Sequence, residues 1–432
     1  MASVVIVGAG PAGLFAALEL AKSHDVRIVE MRDFVGGSGL HSDGKLNFHP
    51  FIGGDMTDYV PEADAWDLVN HIRDIFIRFG VSPPVFEEEK LADLETRAIR
   101  AGIRFIKIIQ AHIGSDYLPK IMDNIRHHLE EEGVKLSLDT KVLGLEMKKN
   151  RVTGVTTEKG LERCDYVLVA PGRIGTSWLI SLCERLHVNM KFNPMDIGVR
   201  VEVPNEVMNE VIYDYKCWDP KFHIRTPSYD DFVRTYCVCP KGFVVKDEYE
   251  DSLTGVNGHS LRDVSSANTN FALLTRIVLT QPLENTTQYG RRIAQLMDTL
   301  GGGKPILQRL GDLRNHKRST WERIERSYVK PTMRDVTPGD IAMAYPERIL
   351  KDVTEGLEML DKVMPGINAD STLLYAPEIK FYAMKIETDK SLRTSVRNFF
   401  VAGDGAGVSR GIVGAAATGI VAARGIKRAT KT

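Results

Sequence analysis

Two stretches near the start of the chain have the residue types and spacing to hold a phosphate: Gly8-Ala9-Gly10-Pro11-Ala12-Gly13 and Gly39-Leu40-His41-Ser42-Asp43-Gly44-Lys45. The second has the G-x-x-x-x-G-K spacing of a nucleotide-hydrolysing loop. It fails as one, because Leu46 stands where a Ser or Thr would hold Mg²⁺ and no apolar strand leads into it. The first is complete in its context. Val4-Val5-Ile6-Val7 reads as a buried parallel strand, Leu14 to Lys22 as a helix, and Val26 to Val29 as a second strand ending at Glu30. In such a unit Gly8 makes the tight turn, Gly10 admits a diphosphate to the backbone, and Gly13 lets helix and strand close up. Pro11 and Ala12 open the helix, whose free N–H groups and dipole favour an anion. Glu30, followed by Met31, is placed for ribose hydroxyls.

The far end of the chain specifies the dinucleotide. Thr394-Ser-Val-Arg-Asn-Phe399-Phe400-Val401-Ala-Gly403-Asp404 is a Thr, a spacer, a short apolar strand and an acidic turn, followed by a small-residue helix that runs to about Ala423. This looks like the second flavin motif of the glutathione-reductase-type FAD fold. The resemblance implies that Gly403 and Asp404 meet the ribityl chain and that the helix at Gly411 and Ile412 turns its N-terminus to the flavin. A positive helix end there stabilises the charge of reduced flavin. It also implies that Gly36 and Gly37 cross the diphosphate, that the stretch at Val142 borders the adenine, and that the Ala170-Pro171-Gly172 turn passes close by. The expected cofactor is FAD. No second G-x-G-x-x-G occurs in the sequence, so NAD(P)H, if used, would bind only transiently.

The elements that position these residues suggest an α/β architecture: a Rossmann-like FAD-binding domain with an inserted, mainly β (α+β) substrate domain. We expect the FAD domain over 1–189, with a helical excursion at about 60–131, and over 371–432. The substrate domain is expected over 190–370, where the texture turns to β: Ile197 to Val203, Val233 to Val245 and Phe271 to Leu279. With 56 Lys and Arg against 57 Asp and Glu, nothing favours nucleic acid or a membrane surface. The apolar run Gly411–Ala423 is too short to span a bilayer. Ser3 begins a strand without a basic lead, and the five cysteines are scattered, which points to a reducing cytoplasm. No Cys/His spacing suggests a metal.

Several phrases occur in one order: Ser42-Asp-Gly-Lys45-Leu, His112-Ile-Gly-Ser115-Asp116, Ile197-Gly-Val-Arg200-Val-Glu, Cys237-Val-Cys239-Pro-Lys-Gly242, Val256-Asn-Gly-His-Ser260 and Ala267-Asn268. Together they resemble a family of FAD-dependent dehydrogenases of prokaryotes and plastids, along nearly the whole chain. That family usually carries Glu-Thr-Arg-Thr-Ser-Ser-Pro and Gly-Glu-Gly-Ala-Gly near its end. Here Glu378-Ile-Lys380-Phe-Tyr382 and Gly403-Asp404-Gly-Ala-Gly407 stand instead.

The resemblance implies a flavoprotein oxidoreductase, and the reaction we expect is hydride exchange between flavin N5 and a small organic substrate held between the two domains. Ser42 is then a cofactor contact, and Lys45, Asp43 and His112 are the candidate catalytic groups. Lys45 would stabilise reduced flavin or an anionic substrate, and His112 would move a proton. Arg173, Arg200, Arg262 and Lys380, with Glu378 and Cys237, are candidate substrate contacts. Cys237 and Cys239 share a face of a regular strand, but a C-x-C disulfide is a strained ring, so pocket packing is the preferred reading. A flavin monooxygenase using NAD(P)H and an FAD-binding sensing or structural module remain the alternatives. An electron-carrier partner and a homo-oligomer are both compatible with the sequence.

Overall fold

Val4, Val5, Ile6 and Val7 offer apolar side chains to both faces, and the strand they form, Ser3–Val7, lies in the middle of a five-stranded parallel sheet. The order is Phe399–Val401, Tyr166–Val169, Ser3–Val7, Asp25–Val29, Lys135–Ser137. The structure is a computed structural model of the 432-residue chain. It describes all residues except 42, 43, 85, 86, 114–116, 250, 251, 262, 263, 283 and 432, and not the side chains of residues 38, 41 and 112. Two compact units are defined. The first comprises Met1–Val85, Ile108–Asn193 and Tyr382–Thr432, and the second Phe86–Lys107 and Pro194–Phe381.

In the first unit, register pairs Val7 with Val29 on one side and Val169 on the other, and Val169 with Val401. Four strands therefore end level at one edge of the sheet. Two helices pack closely across this unit, Pro11–Leu20 and Gly411–Lys431. Their contact is made of small residues: Ala16, Ala17, Ala416 and Ala417 are fully buried, and a Cβ at Gly419 would stand 2.1 Å from the Ala12 carbonyl oxygen. On the other flank Phe15 meets Phe76 of the helix Glu62–Arg78, with ring centroids 5.0 Å apart.

The second unit is built on an eight-stranded sheet, antiparallel except at one edge. At its centre Met195–Pro204 pairs with Asn268–Ile277 and with Leu373–Lys380. Alternation sends Ile197, Val199, Val201 and Val203 to one face and Asp196, Gly198, Arg200 and Glu202 to the other. The helix Glu347–Asp361 covers the apolar face, where a Cβ at Gly356 would lie 3.3 Å from the Leu273 and Val233 side chains.

Two segments fall differently from the sequence reading. Ile103–Ile106 pairs with Lys221–Arg225, which carries residues 86–107 into the second unit. Leu373–Lys380 is a strand of the second unit's sheet, so the returning segment of the first unit begins at Tyr382. The expected run Val233 to Val245 is two strands, Phe232–Cys239 and Phe243–Glu248, separated by the Pro240-Lys241-Gly242 turn.

Candidate cofactor site

Each glycine of the first turn has a different reason to be one. Gly8 has φ +104, and a Cβ there would lie 2.2 Å from the Ala170 carbonyl oxygen. A Cβ at Gly13 would lie 1.9 Å from the Gly8 carbonyl oxygen, so the helix could not close onto the strand. Gly10 has neither reason. Its φ of −77 suits any residue, and a Cβ there would meet nothing within 4 Å. Neither backbone nor packing demands a glycine, so the open cradle beside its Cα is a fit for a ligand that must approach the chain closely, as a diphosphate does. Pro11 opens the helix and lacks an N–H that would in any case go unbonded.

Level strand ends gather the remaining elements around this turn. Glu30 is buried: one carboxylate oxygen accepts the Ala9 N–H at 2.8 Å and the other the Arg32 N–H at 2.9 Å. Each oxygen keeps a lone pair for a hydroxyl donor. Gly36 (φ +105) donates its N–H to the Ala9 carbonyl at 2.8 Å, and a Cβ on Gly37 (φ +55) would be 3.5 Å from the Gly10 Cα. Gly39 approaches both Pro11 and Ile412. Ala170 donates its N–H to the Val7 carbonyl at 2.8 Å. Gly172 (φ +63) lies under Gly405, whose Cβ would stand 2.2 Å from the Gly172 carbonyl oxygen. A Cβ on Gly403 (φ +80) would lie 3.2 Å from the Ala12 side chain. Val142 is buried at the start of its strand, two residues beyond Thr140, whose N–H bonds the Glu30 carbonyl at 2.9 Å. Met31 is largely exposed.

Asp404 joins the acidic turn to the C-terminal helix. Its carboxylate accepts the Ser409 hydroxyl at 3.0 Å and the Gly411 N–H at 3.1 Å. Burial pushes its pKa up to about 6, against the pull of the Gly411 N–H, the Ser409 hydroxyl and the charges of Arg173 and Arg410. Arg173, itself exposed, thus acts on this acid through its charge. Ile412 is buried at the helix start.

Three groups that sequence reasoning missed complete the frame. They are Ser409 on Asp404, Thr418, whose hydroxyl accepts the Gly403 N–H at 3.1 Å, and Gly53, whose carbonyl accepts the Arg410 N–H at 2.7 Å. The only signal for Thr418 is a lone hydroxyl in a run of Ala and Gly.

Among the catalytic candidates, Lys45 is half-buried at the start of the strand Lys45–Phe48. The backbone register sets it directly opposite His112 of the strand Ile109–His112. Ser42, Asp43 and Arg262 lie outside the described residues, as does the His112 side chain.

In the second unit Arg200 and Glu378 are fully buried, with Arg200 Nε 3.6 Å from the Glu378 carboxylate and Lys380 Nζ 3.0 Å from it. Arg200 also donates to the Cys237 carbonyl at 3.2 Å. The expectation that Cys237 and Cys239 share a face meets a β-bulge. Cys237 takes φ +49, and the register slips between Tyr236 and Cys239, so the two-residue alternation is broken there. Neither cysteine is in a disulfide. Among the described residues no group of three or more His, Cys, Asp or Glu could hold a metal ion, and no helix is long and apolar enough to cross a membrane.

A glycine turn, a buried acid and a helix N-terminus thus meet on one edge of the parallel sheet of an α/β protein, an arrangement that a dinucleotide fits. Residues 3–177 match the family of FAD dependent oxidoreductases, and residues 194–380 match the family described as FAD-dependent protein, C-terminal domain-like. The chain belongs to the FAD-dependent oxidoreductases and is an enzyme.

It is 25% identical over 459 residues to an uncharacterised protein of Clostridium beijerinckii, covering 98% of this chain and 80% of that one. Among solved structures it is similar to L-proline dehydrogenase from P. horikoshii, with TM-score 0.41 and 13% identity over 99% of this chain and 93% of that one. It is also similar to glycine oxidase from Bacillus cereus, with TM-score 0.39 and 13% identity over 99% and 95%.

Proposed function

We propose that this chain holds FAD in the glutathione-reductase manner and exchanges hydride between the flavin and a small organic substrate. The observation that carries the reading is the level ending of four strands, which brings the Gly8–Gly13 turn, Glu30, the Ala170–Gly172 turn and Asp404 to one edge although they span most of the chain. The open cradle at Gly10 supports it. Bound FAD would supply the two-electron chemistry. The chain's part is to hold and tune it. The Gly8–Gly13 turn and the N-terminus of Pro11–Leu20 would take the diphosphate, with Gly36 and Gly37 alongside. Glu30 would take ribose hydroxyls and Asp404 the ribityl chain. The N-terminus of Gly411–Lys431, with Ile412, would face the flavin. Val142 would border the adenine.

Lys45 would hold negative charge, with His112 opposite it in register as the group that moves a proton and Asp43 close in sequence. Anaerobic mixing of the purified holoprotein with a panel of metabolites tests the reading. Bleaching of the flavin without oxygen, slowed roughly tenfold or more in Lys45→Ala, is the expected result. A strict need for NADPH and oxygen, with a hydroxylated product, would replace the dehydrogenase reading with a monooxygenase.

A further inference from the structure

The parallel sheet of the first unit has a second edge, where its strands begin. A cleft of 840 Å³ opens there. Tyr166, the first residue of its strand, and Asn398, the residue before Phe399–Val401, both line it. Ala429, near the end of the helix Gly411–Lys431, lines it too. The Gly8–Gly13 turn lies at the opposite edge, where the strands end, and Gly411 is about 27 Å back along the helix from Ala429. The cleft is therefore separate from the candidate cofactor site.

Hydrogen bonds fix its walls. Buried Asn398 accepts the Val152 N–H and donates to the Val152 carbonyl, both at 2.8 Å. Arg397 donates its N–H to the Asn150 carbonyl at 3.4 Å, and the Asn150 amide donates to the Ser395 carbonyl at 3.2 Å. These links bring Arg397 and Arg151 to the same part of the cleft, which both line. The Arg151 guanidinium is held in place, donating to the Asp165 carbonyl at 3.3 Å and lying 5.8 Å from the centre of the Tyr166 ring.

The acids at the cleft are already engaged. Asp389 accepts the Ser391 N–H at 2.8 Å, and the Arg393 N–H and Nε each at 3.1 Å. Glu387 lies 4.0 Å from Lys191. Asp165, next to Arg151, accepts the N–H and hydroxyl of Ser3 at 2.8 and 3.0 Å. Arg397 is different: it is exposed, and its side chain has no partner among the described residues. The hydroxyls of Thr388 and Ser395, which line the same cleft, have none either. One open guanidinium fork, a second close by and two hydroxyl donors match the oxygens of a phosphate group. The volume lies within the range of small-molecule sites, about 300–1,000 Å³, and far exceeds what a phosphate ion alone would fill.

We infer that this cleft is a second ligand site and takes a phosphorylated small molecule. Arg397 and Arg151 hold the phosphate, Thr388 and Ser395 donate to it, and the organic part occupies the rest of the cleft. The inference does not depend on the cofactor reading.

Holoprotein, with its flavin content measured first by absorbance, is titrated by calorimetry at constant ionic strength. The probes are glycerol 3-phosphate, glucose 6-phosphate, glycerol, glucose and inorganic phosphate. The expected result is that the two esters bind at least tenfold more tightly than their parent alcohols and than inorganic phosphate. Arg397→Gln should weaken the esters at least tenfold while flavin content and the thermal midpoint without ligand are kept, since this side chain touches no partner. Ser395→Ala should weaken them in the same direction, by less. Parent alcohols that bind as well as the esters, ester binding matched by chloride, or ester binding untouched by Arg397→Gln would overturn the inference. Inorganic phosphate that binds as tightly as the esters would overturn its organic part and leave a site for the free ion.

Discussion

At the scale of single residues, Gly10 and Asp404 separate a structural role from a cofactor role. Gly10 has an ordinary φ and open space at its Cβ position. Gly10→Ala should therefore change the unfolding free energy of the apoprotein by no more than about 1 kcal/mol, the lost capping preference and the gained chain stiffness being small and opposite. It should weaken FAD binding roughly a hundredfold or more, about 2.7 kcal/mol, by standing where the diphosphate must approach. Urea unfolding of the apoprotein beside a flavin titration measures both. A variant that binds FAD normally would remove the diphosphate from this turn.

Asp404 makes a pH statement. Its folded pKa is about 6 against an ordinary value of 3.8, so between those values the folded protein holds a proton that the unfolded chain has released. Folding is then disfavoured as pH rises through that window, by at most about 3 kcal/mol in all. Asp404→Asn should flatten this part of the profile, read as the difference from wild-type apoprotein in urea unfolding at about pH 4.5 and about pH 7. Parallel wild-type and variant profiles would show that the carboxyl titrates normally.

At the scale of elements, two backbone contacts fix the frame. Gly13 lets the helix Pro11–Leu20 sit on the first strand, and Gly419 lets Gly411–Lys431 sit on that helix, each with a carbonyl oxygen about where a Cβ would go. Gly13→Ala and Gly419→Ala should each cost at least about 2 kcal/mol, because rigid backbone must move to relieve the overlap. Unlike Gly10→Ala, both should destabilise the protein whether or not flavin is present. Thermal unfolding with and without FAD is the comparison. An unchanged Gly419→Ala midpoint would show that the helices pack less closely than described.

At the scale of the whole molecule, what could be read in the sequence was what neighbouring residues encode. The turn at Gly8–Gly13 and the turn at Gly403–Asp404 each carry their backbone requirement within a few residues, so their roles could be stated from composition and spacing. That they share an edge follows from register, which no local pattern contains. Three features were not legible. The short run Ile103-Arg-Phe-Ile falls within the expected helical excursion but is a strand, and nothing in it selects the sheet that it joins. The alternation Asp196, Gly198, Arg200, Glu202 reads as a solvated strand face, yet each of these charged side chains is fully buried, because ion pairs at Asp196 and Arg200, and hydrogen bonds from Thr332 and Tyr375 to Glu202, take the place of water. The β-bulge at Cys237 inserts a left-handed residue where the sequence offers no glycine.

The central claim is that one edge of the first unit's sheet holds a single FAD. Flavin released by denaturing the purified protein, together with FAD titrated into stripped apoprotein, measures it most directly. The account predicts saturable uptake at one FAD per chain. A protein that is colourless as isolated, and leaves the fluorescence of added FAD unchanged, would contradict it.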